Sequence, residues 1–143
     1  MSKLPVIFLL HPVGDGATRA MSVLSAKLWF SALVSLLADV AFSAPWLPYA
    51  EAMVDGDRSL RDALVFAEGC HGVVAVGGEF NRGPLTEWDL FGRLGRPRID
   101  LSHPPLPALL TYETFSDTRS AVFRETVIDA FSRVRAVLGE QAL

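Results

Sequence analysis

The chain has a single cysteine, Cys70, so it can close no disulfide within itself and build no thiolate cage for zinc. One free thiol suits a reducing compartment, and the expected location is the cytoplasm. Long apolar runs are lacking as well. The most apolar uncharged stretch lies between Lys27 and Asp39, well short of the ~20 residues that cross a bilayer. "LPVIFLL" near the start is apolar but short, and His11-Pro12 closes it without a small-residue cleavage site. The expectation is a soluble protein with neither a membrane span nor a secretory signal. Basic clusters are missing too: at a net charge of −3 the chain is ill suited to a nucleic-acid backbone. His11, His71 and His103 stand apart from any second ligand at metal-binding spacing, so no metal is expected. A G-x-S-x-G elbow, a Walker loop and a dinucleotide fingerprint are all absent, and no cofactor is expected.

What the chain does have is core material. Of its 143 residues 50% are hydrophobic and 20% charged, which suits one folded domain over 1–143 and argues against disorder. Val6 to Leu10 is a continuous apolar run of the kind that forms a central strand buried on both faces. "HPVGDG" follows as a loop, and Ala17 to Ala38 reads as a long helix. That helix is apolar around most of its circumference, so it must be covered on more than one side. The sheet supplies one cover; a second subunit and the C-terminal helix are equally good candidates for the other. A homodimer or higher homo-oligomer is therefore an expectation.

Val40 to Phe42 suggests a second strand, followed by the irregular, aromatic "SAPWLPYAEAMVDGD". Arg58 to Glu68 reads as a helix with Asp57 as its N-cap. "HGVVAVGG" is a short buried strand closed by glycines, and Pro84 to Leu94 a helix with proline at its first position. "RPRIDLS" gives a strand, "PPLPALLTYETF" a proline-interrupted passage ending in a short strand, and Asp117 to Leu138 the closing helix. Alternating helices and nearly all-apolar strands imply an α/β fold: a three-layer, flavodoxin- or Rossmann-like parallel sheet with helices on both faces. Ligands of such sheets bind beyond the carboxyl ends of the strands. The "HPVGDG" loop, the segment after Val40 and the "GGEFNRG" loop should converge there.

Gly77, Gly78 and Gly83 allow close backbone approach to a ligand, and the amides opening the next helix favour an anion or electron-rich group. Glu87, about one turn into that helix, can attack an electrophilic carbon or stabilise a cation. Its plainer role is to offset the helix dipole, and spacing alone favours that role. Asp62 either points to the cleft or is solvated, and solvation is the usual outcome. Asn81 can act as a turn former, Arg82 as a surface cation or phosphate ligand, and His11 stands at the end of the first strand.

Asp62, "CHGVVAV" and "NRGPLTEWDLFGRLGRPRI" together resemble the nucleoside 2-deoxyribosyltransferase superfamily, which includes nucleotide N-glycosidase and hydrolase relatives. That family carries an aspartate shortly before a "cDvvv" strand, then a D/S/N-x-G-x-x-x-E segment, then a helix end of the type A-x-x-x-G-K-P. Asn81-Arg82-Gly83, Glu87 and Gly95-Arg96-Pro97 fall into those places, within a similarity running from about Val6 to Ser102. The resemblance implies that Glu87 is the nucleophile on a sugar's anomeric carbon. By the same resemblance Asp62 is the acid that handles the departing base, and Asn81 contacts the sugar. Gly78, Gly83, His11, Arg82 and Phe8 complete the expected substrate-binding set. Phe8 stands where the family often has a tyrosine; it lacks the hydroxyl that would orient Glu87, so the orienting group is either missing or replaced, with His11 as the candidate replacement. The implied activity is cleavage or exchange of the N-glycosidic bond of a nucleoside or its 5′-monophosphate. "GGEFNRGPLTE" is also similar to the "GG…G-T-x-x-E" loop of the lysine-decarboxylase-like phosphoribohydrolases. A non-catalytic nucleotide-binding module of the same fold is the remaining alternative.

Overall fold

The computed structural model describes residues 4–79 and 82–142 of the chain. Four parallel strands, β1 (Val6–Leu10), β2 (Ala41–Ser43), β3 (Gly72–Ala75) and β4 (Arg98–Asp100), form one sheet in the order β2-β1-β3-β4. Strand β1 is central. It pairs Ile7 with Phe42 on one side and Leu9 with Val74 on the other, so its backbone has a partner at both edges. Its side chains alternate between two cores. Ile7 and Leu9 enter one, Phe8 and Leu10 the other, and all four are sealed from solvent. Each such burial contributes about 1.5–3 kcal/mol, which is why a run without polar residues belongs in the middle of the sheet.

The first core lies under α1 (Gly16–Leu36), α5 (Ala121–Ser132) and α6 (Arg135–Ala142). The second lies under α3 (Gly56–Ala67) and α4 (Arg82–Arg93), with α2 (Trp46–Glu51) closing its upper end. The fold is thus a three-layer α/β sandwich with a flavodoxin-like strand order. Of the two covers weighed for α1, the C-terminal one is present: Trp29 packs on Phe123 of α5 with ring centroids 5.3 Å apart. Val23 and Ala26 meet Trp46, Leu47 and Ala50 of α2 in the second core. These contacts cover much of the apolar surface of α1 within the chain, while Met21 and Val34 remain exposed. Among the described residues no helix is long and apolar enough to cross a membrane.

Four expected elements differ in detail. The α3 cap is Asp55, whose carboxylate accepts from Arg58 N–H at 3.4 Å, because the helix begins at Gly56 and leaves Asp57 in its first turn. Helix α4 starts at Arg82, before Pro84; proline still fits there, since the first-turn N–H groups have no internal acceptor. No strand ends the proline-rich passage. Its donors go to side chains, Leu110 N–H to Ser25 Oγ and Thr111 N–H to Thr114 Oγ1, both at 2.9 Å, and a 3-10 turn, Phe115–Arg119, follows. The closing helix is two helices. Ser120 caps α5 by accepting from Phe123 N–H at 3.2 Å, and Val134 N–H turns to Phe131 O instead of continuing the α-helical ladder. The apolar stripe of Phe123, Val127, Phe131 and Leu138 runs unbroken across that joint, so periodicity alone reads it as one helix. Helix α2, inside the segment expected to be irregular, is held by Trp46, whose indole N–H donates to Leu9 O at 2.7 Å.

Candidate active site

Strand β1 leads through α1 to β2 on one side and lies beside β3 on the other, so the chain's winding reverses between β1 and β3. A reversal of this kind opens a crevice at the carboxyl ends of the strands. Val76 N–H donates to Leu10 O at 3.0 Å and ties those two ends together. His11 and Pro12 leave β1 at this point, and Gly77 and Gly78 leave β3.

His11 is 1% exposed and both its nitrogens are used. Nδ1 faces Pro12 O at 2.7 Å, and a carbonyl only accepts, so Nδ1 carries the proton. Nε2 then accepts from the Ser25 hydroxyl at 2.8 Å, and Ser25 Oγ in turn accepts from Leu110 N–H. Burial holds the His11 pKa below its ordinary value, which keeps the ring neutral and the relay in this one direction. The ring lies over Gly77 at φ +87°, where only glycine leaves room. His11 is therefore not the group that orients Glu87. It bolts the β1 end to α1 and to the loop before the 3-10 turn.

Glu87 lies in the second turn of α4, four residues ahead of Phe91 and hence on the same helix face. Phe91 is fully buried and packs on Phe8 with centroids 6.0 Å apart, so that face looks into the second core. Glu87 is 5% exposed, and among the described residues its Oε2 has no hydrogen-bond partner. Desolvation pushes its pKa up to about 8, so the carboxyl is mostly protonated at neutral pH. Offsetting a helix dipole requires an exposed anion in the first turn. Glu87 is neither exposed nor ionised there, and the plainer role falls away. Phe8, counted with the substrate-contacting set, is a core residue at 0% exposure.

Asp62 stands half-way along α3, which packs beside α4 on the same face of the sheet. Its carboxylate accepts from Tyr49 Oη at 2.8 Å and from the Arg61 guanidinium at 2.9 Å, with Arg58 at 3.8 Å. The Tyr49 hydrogen bond, then Arg61, hold its pKa below the ordinary aspartate value. Asp62 is thus an anion facing α2, with both oxygens engaged. A proton-donating Asp62 requires that cluster to open first.

Gly78 has φ +90° and faces Ala108, which brings the proline-rich loop to the β3 end. Gly83 and Arg82 form the first turn of α4. Asn81 lies outside the described residues. Cys70 is buried and its thiol is pushed up to about 11, which makes it a poor nucleophile. Sequence reasoning missed Ser25 and Tyr49. A serine inside the apolar surface of α1 was the available signal for the first; Tyr49 had none, because α2 itself was not expected. Comparison with known protein families and with curated proteins gives no match for this chain.

Proposed function

We propose that the chain cleaves or exchanges the N-glycosidic bond of a nucleoside or nucleoside 5′-monophosphate, with Glu87 as the nucleophile and hydrolysis as the first form of the reaction. The observation that carries this reading is a buried carboxyl with an unpartnered oxygen on the inner face of α4. A buried acid with an unpaired oxygen is costly to keep, and functional sites are where such groups concentrate. The resemblance of "NRGPLTE" to the deoxyribosyltransferase motif assigns that same residue to the anomeric carbon.

At rest Glu87 holds a proton and carries no charge. As the bond between sugar and base breaks, positive charge builds on the anomeric carbon and makes the ionised carboxylate the favoured form. Glu87 releases its proton to solvent and its ionised oxygen bonds to that carbon, while the bonding electron pair leaves with the base, which takes a proton from water. Water then attacks the same carbon, releases the sugar and restores Glu87, as in retaining glycosidases. Asp62, an anion at rest, carries that proton from water to the base in this scheme, once its pairing with Tyr49 opens. The crevice amides and the first turn of α4 supply a place for a 5′-phosphate.

The pairing of Asp62 favours a second reading, a nucleotide-binding module of the same fold without chemistry. Incubation with a panel of nucleosides and monophosphates, read by chromatography of free base, separates the two. Base release by wild type and none by Glu87→Gln supports the enzyme. Tight nucleotide binding with no release by either protein supports the binding module.

A further inference from the structure

We propose that two copies of this chain join edge to edge through β4, about a two-fold axis passing beside Ile99, to make one continuous eight-strand sheet. Three independent features of the β4 edge carry the inference, and none depends on the functional reading above.

The first is the backbone. Val73 N–H donates to Pro97 O and Leu101 N–H to Ala75 O, so the peptide groups of residues 97, 99 and 101 face β3. Those of Arg98 and Asp100 face away from the sheet, and among the described residues nothing bonds them. An open edge of this kind is a template for another strand. An antiparallel copy centred on Ile99 sets Arg98 opposite the partner's Asp100 as a hydrogen-bonded pair, and the reverse, so all the outward groups of both residues are satisfied.

The second is charge on the strand. Residues directly opposite each other share a face of the sheet. Arg98 and Asp100 are both exposed and lie on the α4 side of the sheet, opposite in direction to the buried Ile99. The two-fold therefore places each Arg98 across from an Asp100. A parallel or shifted pairing loses that match or sets like charges opposite.

The third is the adjoining helix. An open groove of about 530 Å³ runs beside the edge between α4 and β4, lined by Thr86, Asp89, Gly92, Arg93 and Arg98. Arg98 stacks on Trp88 at 5.2 Å and lies over Gly92, so its guanidinium sits beside the C-terminal half of α4, between those two residues. The same two-fold brings the partner's α4 alongside, antiparallel, crossing level with Phe91, midway between Asp89 and Arg93. Asp89 of each copy then meets Arg93 of the other. Strand and helix are each self-complementary under one axis, which a surface built for a different protein has no reason to be. The occupant is a second copy.

Sedimentation velocity and light scattering of the full chain at micromolar concentration provide the test. Wild type should be dimeric, with amide exchange at Arg98 and Asp100 slowing as concentration rises. Asp100→Pro leaves the β3 ladder alone but removes one outward N–H per chain together with the carboxylate that faces the partner's Arg98 and that binds Ser102 and His103 within the chain, and should weaken the dimer about tenfold or more. Arg93→Asp sets two carboxylates against each other across the axis and should also give monomers, whereas Asp89→Arg with Arg93→Asp restores the match and the dimer. That double variant also excludes misfolding as the cause of the single variant's effect. A monomeric wild type, or a dimer indifferent to all these changes, overturns the proposal.

Discussion

His11 occupies the space that a side chain on Gly77 would need: a Cβ built there falls 2.3 Å from the imidazole Cδ2. The ring cannot step aside, because Pro12 and Ser25 hold its nitrogens. Gly77→Ala should therefore cost at least about 2–3 kcal/mol, the clash adding to the strain of a left-handed backbone. The urea midpoint reads it, and a loss below about 1 kcal/mol would show that the ring is not fixed.

Ser25→Ala removes the donor to His11 Nε2 and the acceptor for Leu110 N–H together. Each orphaned buried group costs roughly 1–3 kcal/mol, so the variant should unfold at distinctly lower urea. His11 adds a pH dependence of its own. Its folded pKa lies below the ordinary 6.5. Its contribution is present above 6.5 and is lost as pH falls toward the folded value, because the unfolded chain takes up the proton first.

Glu87 titrates in the opposite sense. Its folded pKa of about 8 exceeds the ordinary 4.5, so the unfolded chain releases its proton first. The Glu87 contribution is complete below 4.5 and is lost as pH rises through about 8. Glu87→Gln has no such proton. The variant should match wild type below about pH 4.5 and exceed it increasingly above that, levelling off past the folded pKa at no more than roughly 5 kcal/mol, at ~1.4 kcal/mol per unit. Parallel stability curves for the two proteins would refute the buried-acid assignment.

The same group sets a rate profile. A nucleophile must be ionised, so kcat/KM for base release should rise with pH through about 8. A profile that falls through that value instead identifies Glu87 as a proton donor.

Tyr49→Phe removes the largest influence on Asp62 and should raise its pKa toward the ordinary 3.8, read by carboxyl carbon chemical shift against pH. An unmoved titration would mean that the tyrosine does not hold the acid.

Much of the fold was legible because burial on both faces of a parallel sheet leaves a plain signature. "VIFLL" and "GVVA" contain no polar residue, and the helices between them are long enough to cross back over the sheet. Glu87 was also visible, through its spacing from Gly83. Its protonation was not, because spacing carries no information on how much water reaches a side chain. The loop at Leu110 was hidden for a related reason, since its N–H goes to Ser25, far back in the chain, and the break at Arg133–Val134 was hidden because the apolar stripe runs across it unbroken. His11 was read at its correct place at the end of β1, but its nitrogens are held by Pro12 and Ser25, the second of them distant in the chain.

By itself the order of residues determined the layers, since apolar runs and periodic stripes state which surfaces must leave water. Tertiary structure alone decided the partners. It turned Asp62 toward Tyr49, locked His11 between Ser25 and Gly77, and left Glu87 dry, because hydrogen bonds and desolvation depend on distances in space that chain separation does not encode.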